Sequence, residues 1–206
     1  MTFTRIVITG GPCAGKTHVV EELRHRFGDT MLVVPEVASM LLGNGYPRPS
    51  EEGFTDRWLD AFQSSVLSVQ LNMENEYEHM ARQRSIPLII YDRGILDGAA
   101  YLGKGRDYFL KKNNLSLSEV TSRYDAVIHL ESVAVSNPEL YRALKESNPA
   151  RYESPEEAMT RDMAIMDAWE LHGNRTVISG KMGIDAVVAQ VLIRVREEMG
   201  RYAIGP

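Results

Sequence analysis

The chain has 206 residues, a formal net charge of −5, 44% hydrophobic and 25% charged residues, values that fit one soluble α/β domain with a sizeable core and exclude a disordered chain. The acidic balance argues against a nucleic-acid polymer as the main partner, and no apolar run approaches the roughly 20 residues that a membrane span needs. With Cys13 as the sole cysteine and no apolar leader, a single cytosolic domain over 1–206 without an internal disulfide is expected.

The first apolar run, RIVITG, reads as a strand and runs into GGPCAGKT, Gly10 to Thr17, with helical sequence beyond it. The stretch fits G-x-x-x-x-G-K-[ST], the phosphate loop whose backbone N–H groups wrap polyphosphate. Gly10, Gly11, Pro12, Cys13, Ala14 and Gly15 are thus expected to cradle a nucleoside triphosphate. Lys16 brings a point charge to its terminal phosphates, and Thr17 brings a hydroxyl to Mg²⁺. Cys13 reads as a small residue the loop tolerates, not as a nucleophile.

The second strand, MLVVPE, ends at Glu36. In a doubly wound sheet the C-terminal strand ends share one crevice, which places Glu36 near the triphosphate. A carboxylate repels phosphate, so it makes better sense as a general base for an acceptor hydroxyl; a solvated strand-end glutamate is the alternative. The Gly- and Pro-rich GNGYPRPS, Gly43 to Ser50, predicts a flexible rim. From Phe54 to Arg84 the positions Phe54, Trp58, Phe62, Val66, Val69, Met73, Tyr77 and Met80 step by three or four, predicting a long helix with that stripe in the core and a face on which two copies of the chain could meet.

The third strand, PLIIYD, ends at Asp92, where phosphate-loop proteins place the acid that holds Mg²⁺. Arg93 follows, a fork-shaped donor able to pair with Glu36 and to meet the transferring phosphoryl group; an ordinary turn ion pair of Asp92 and Arg93 is the alternative. Asp97 offers a carboxylate to acceptor hydroxyls, or simply caps a helix start. After the fourth strand, DAVIHLE, a lid is expected over about 133–160, interrupted by Asn137-Pro138 and Asn148-Pro149. Arg142 and Arg151 are the favoured lid arginines, with solvated surface arginines the alternative. Ser154, Pro155 and Glu157 then mark a capped helix running to about His172. A fifth strand, RTVIS, precedes a donor-base pocket near Ser179 to Met182.

Strands alternating with helices predict a three-layer α/β/α phosphate-loop (P-loop) NTPase with a five-stranded parallel sheet. GGPCAGKT, VVPEV, FQ within the long helix, and DRG together resemble the deoxynucleoside kinase and nicotinamide riboside kinase-like branch of P-loop kinases, over the whole chain. That resemblance implies Glu36 as catalytic base and Asp92–Arg93 as the acid-Arg segment, and it implies that Gln63 reads the base or amide edge of the acceptor. Val37 stands where the deoxynucleoside kinases have a second proline, and Gly94 where they have serine. The later NPARYESPEEA and AWELHG resemble bacterial AAA-labelled kinases similar to the kinase part of nicotinamide nucleotide regulators.

Two functions follow for comparison. One is an ATP- and Mg²⁺-dependent kinase that phosphorylates a hydroxyl of a nucleoside-like or other small metabolite. The other is a regulatory ATPase or GTPase acting as a nucleotide-dependent binding module. The compact size, a third strand ending Asp92-Arg93 instead of in an acidic pair, and the lack of an NKxD-type guanine reader in the sequence favour the kinase.

Overall fold

Five runs of branched apolar residues form the strands of one sheet: β1 Thr4–Gly10, β2 Met31–Val34, β3 Leu88–Asp92, β4 Ala126–Leu130 and β5 Arg175–Ile178. All pairings are parallel and the spatial order is β2-β3-β1-β4-β5. The computed structural model describes residues 3–48, 55–146 and 153–203. Ten helices connect and follow the strands among them: α1 Lys16–Phe27, α2 Val37–Gly43, α3 Asp56–Arg84, α4 Asp97–Leu102, α5 Gly105–Lys112, α6 Leu117–Thr121, α7 Val133–Ser136, α8 Pro138–Glu146, α9 Pro155–Ala168 and α10 Ile184–Ala203.

Side-chain alternation divides the core in two. Ile6, Ile8, Leu88, Ile90, Ala126 and Ile128 meet α1 and α10 on one face. Val7, Ile89, Tyr91 and Val127 meet α3, α4, α5 and α9 on the other. The three inner strands are thus nearly continuous in apolar residues because both faces are covered, with Thr9 and His129 the buried polar exceptions near their C-terminal ends. The outer strands are less covered: Val177 on β5 is 45% exposed, and Leu32 and Val33 on β2 are only partly covered, since an edge strand lacks a neighbour on one side.

Two helices also depart from their pattern. On α3 the fully buried line is Phe62, Gln63, Leu67, Gln70, Glu74 and Ala81, whereas Trp58, Val66, Val69, Met73, Tyr77 and Met80 are half-buried; Phe54 lies outside the described residues. Polar side chains with internal partners occupy the inner line, and the apolar stripe sits beside it. Helix α9 begins at the capped Ser154, with Pro155 at its first position, but ends at Ala168, where Trp169 turns inward and is fully buried. The described part of the 43–50 loop is anchored: Tyr46 packs edge-on against Trp58 and Phe62, and the Trp58 indole donates to the Pro47 carbonyl at 2.8 Å. Among the described residues no helix is long and apolar enough to cross a membrane.

Candidate active site

The register places Ile8 of β1 beside Asp92 of β3, so the loop leaving β1 and the segment leaving β3 emerge together at the C-terminal edge of the sheet. Residues 10–15 form that loop, and α1 starts at Lys16 with its positive end toward it. Helix α9 closes in from behind. A single oxygen of buried Asp162, Oδ1, accepts from the Gly11 N–H at 2.7 Å and from the Ser132 N–H at 3.1 Å, and lies 3.2 Å from His129 Nε2. Any side chain on Gly11 would collide with this carboxylate, since its Cβ would stand 2.6 Å from Asp162 Oδ1. Cys13 packs against Ala134, Tyr141 and Ala158, so α7, α8 and α9 support the loop's far side.

Lys16 folds back over the loop, donating to the carbonyls of Gly10 at 2.8 Å and Gly11 at 2.7 Å. Burial, together with the Arg93 charge, lowers its pKa to about 8 despite nearby Glu36 and Asp92. An arriving phosphate would reverse that shift by supplying the missing negative charge. Thr17 is exposed and Asp92 half-buried; both offer hard oxygens suited to Mg²⁺. Burial pushes the Asp92 carboxyl up, and Glu36 adds to this against the opposing charges of Lys16 and Arg93. The loop, the lysine and the oxygen donors therefore fit a metal-bound triphosphate.

Glu36 is the residue before α2, and Ser39 one turn in donates to its Oε2 at 2.6 Å. Arg93 Nε donates to Glu36 Oε1, and its Nη1 donates to Asp97 Oδ2 at 3.1 Å and toward the Gly10 carbonyl at 3.3 Å. Burial alone would raise the Glu36 carboxyl. The Arg93 charge, the Ser39 hydroxyl and Lys16 outweigh burial and hold the pKa at about 2. Arg93 has a φ of 75°, a left-handed conformation that costs a non-glycine residue about 1–2 kcal/mol.

Asp97 follows the second of its two readings, a carboxylate at a helix start, in the first turn of α4. It is 3% exposed, and its oxygens are filled by Thr9 Oγ1 at 2.6 Å, Trp169 Nε1 at 2.7 Å and Arg93. Its role in the fold is to hold Arg93. The same contact accounts for Gly94: a Cβ there would stand 2.5 Å from Trp169 Cζ2, so a serine is excluded once tryptophan fills this space. Gln63 is buried on α3, its Oε1 3.0 Å from where a Cβ on Gly98 would be. Two guanidinium groups lie over the Tyr101 ring, Arg161 4.5 Å and Arg93 5.8 Å from its centroid.

The structure thus brings together Lys16, Glu36, Asp92, Arg93 and Asp97. It does not bring Arg142 to them: that side chain is 55% exposed on α8, 3.8 Å from Glu156. Arg151 lies outside the described residues. Asp162, Trp169 and Thr9 were not anticipated. Asp162 carried a readable signal, an acid on the inner line of α9 between Ala158 and Ile165; Trp169 and Thr9 carried none.

The chain matches the AAA domain family over residues 5–185. No curated protein matches it significantly. Among solved structures it is similar to deoxyadenosine kinase from M. mycoides with bound dATP, at 14% identity and a TM-score of 0.59, over 94% of this chain and 99% of that one. The same kinase with dCMP and a flexible dCDP bound gives 14% identity and a TM-score of 0.51, over 93% and 98% of the two chains. At this identity the likeness is one of fold. The protein belongs to the AAA domain family and carries a P-loop NTPase α/β fold.

Proposed function

We propose that this protein is an ATP-dependent small-molecule kinase, transferring the γ-phosphoryl group to a hydroxyl of a nucleoside-like or other hydroxylated metabolite. The observation that carries the reading is the Glu36–Arg93 pair beside Lys16. A carboxylate at a phosphate site, itself bound by a guanidinium, suits an acceptor hydroxyl better than it suits the triphosphate. The bound dATP of the similarly folded deoxyadenosine kinase supports a nucleoside triphosphate as a ligand.

In this reading the loop N–H groups and Lys16 hold the triphosphate. Mg²⁺, when bound through Thr17 and Asp92, spreads the charge of the phosphate oxygens. The acceptor hydroxyl donates to Glu36 and its oxygen bonds to the γ-phosphorus as the bond to the ADP oxygen breaks; the hydroxyl proton passes to Glu36. A carboxylate held at about 2 is a weak base, which suffices when the transition state is loose and the proton leaves late. Arg93, turning from Glu36 to the phosphoryl oxygens, would raise that basicity as charge moves. Gln63 reads the acceptor, and Asp97 keeps Arg93 in place.

The test is purified protein with Mg²⁺-ATP and a panel of nucleosides, ribosylated pyridines and other hydroxylated metabolites, following ADP release and product mass. Slow hydrolysis accelerated by one class, with a phosphorylated product, is expected. Acceleration only by another protein, with no phosphorylated metabolite, would replace the kinase with a regulatory NTPase.

A further inference from the structure

Arg93 sits in a left-handed conformation at a chain turn, yet its side chain makes three directed contacts. A strained residue with a long side chain keeps one geometry only if its backbone is held from outside. The Arg93 N–H is held by the sheet, donating to the Ile8 carbonyl at 3.0 Å. The Arg93 carbonyl and the Ile95 N–H, on either side of Gly94, are held by something else.

Gln70 on α3 spends both amide hydrogens, one on the Arg93 carbonyl at 3.2 Å and one on Glu74 Oε1 at 3.1 Å. The Tyr124 hydroxyl accepts from the Ile95 N–H at 3.1 Å and donates to the same Glu74 oxygen at 2.7 Å. The other Glu74 oxygen, Oε2, accepts from Arg123 Nε at 2.8 Å. Glu74 is fully buried and Gln70 and Tyr124 nearly so. A buried carboxylate is costly unless every partner is in place, and here its partners end on the two peptide groups flanking Gly94.

We infer that Gln70, Glu74 and Tyr124 are positioning residues that clamp the backbone around Gly94 and so aim the Arg93 guanidinium at Glu36 and the phosphate loop. The clamp rests on the proposed role of Arg93 only for its effect on turnover; the aim of the side chain is a separate, structural claim. It also explains why α3 carries polar residues on its innermost line.

The experiment uses the full chain with Gln70→Leu and, as a variant that keeps its ring packing, Tyr124→Phe. The first readout is the Arg93 Nε–H resonance in ¹⁵N-resolved NMR, assigned by its loss in Arg93→Lys. In the wild type this proton, donated to Glu36, should be protected from solvent exchange. Each variant should keep cooperative melting yet lose at least about tenfold of that protection. The second readout is acceptor-dependent turnover, in which kcat should fall about tenfold or more while Mg²⁺-ATP affinity changes less than about twofold. In an Arg93→Ala background Gln70→Leu should then cost nothing further. If the Arg93 resonance is equally protected in either folded variant, the clamp is overturned. If protection is lost but Arg93→Ala retains full turnover, the clamp stands and the kinase role of Arg93 falls.

Discussion

Replacing Glu36 by glutamine tests both the electrostatics and the chemistry of the site. The Glu36 carboxyl sits at about 2 against an ordinary 4.5, a stabilisation of the charged form that at about 1.36 kcal/mol per pH unit amounts to at most about 3 kcal/mol. The side chain is 29% exposed, so solvent screening makes this an upper bound. Because the folded-state pKa is lowered, the contribution is fully present above pH 4.5 and is lost as pH falls through 2. Glu36→Gln should therefore melt below the wild type at pH 7, by at most about 6–12 °C for a chain of this size. The gap should narrow steadily between pH 4.5 and 2. Glutamine keeps the shape and does not touch phosphate, so Mg²⁺-ATP affinity should hold while acceptor-dependent transfer drops about 10² to 10⁴-fold. Calorimetry across pH, nucleotide titration and coupled ADP release measure the three quantities. A melting gap that does not change with pH would refute the ion-pair account, and near-wild-type transfer would remove Glu36 as the base.

Lys16→Ala should weaken triphosphate binding and lower kcat/KM by about 10³-fold or more, since it removes the charge that meets the phosphates in ground and transition states; normal turnover would take the loop out of the mechanism. Asp92→Asn should raise the Mg²⁺ concentration needed for half-maximal turnover more than it weakens nucleotide binding, and an unchanged metal dependence would make Asp92 structural. Gly94→Ala, whose Cβ would stand 2.5 Å from Trp169 Cζ2 and 3.1 Å from Val7 Cγ1, should destabilise the fold by about 1–3 kcal/mol. Thermal melting reads this directly, and an unshifted Tm would show that Trp169 has room to yield.

The amino-acid sequence alone carried the parts of this protein that depend on neighbours in the chain. Near-continuous apolar runs made the inner strands legible, because a strand covered on both faces holds a polar residue only where a buried partner meets it, as Asp97 meets Thr9 and Asp162 meets His129. GGPCAGKT was legible because its pattern lies in consecutive residues, and Asp92 at the end of β3 followed from the parallel sheet, whereas β2 stops at Val34 and leaves Glu36 two residues beyond it. The buried line of α3 was not legible: Gln70 and Glu74 look like surface residues until Arg93, Tyr124 and Arg123 are brought against them. Asp97 likewise reads as an open carboxylate until Thr9 and Trp169, 88 and 72 positions away, fill it. A buried polar group is permitted only by the partners that satisfy it, and those partners come from distant parts of the chain. Which acid meets solvent and which is locked behind the site was therefore decided by the tertiary structure.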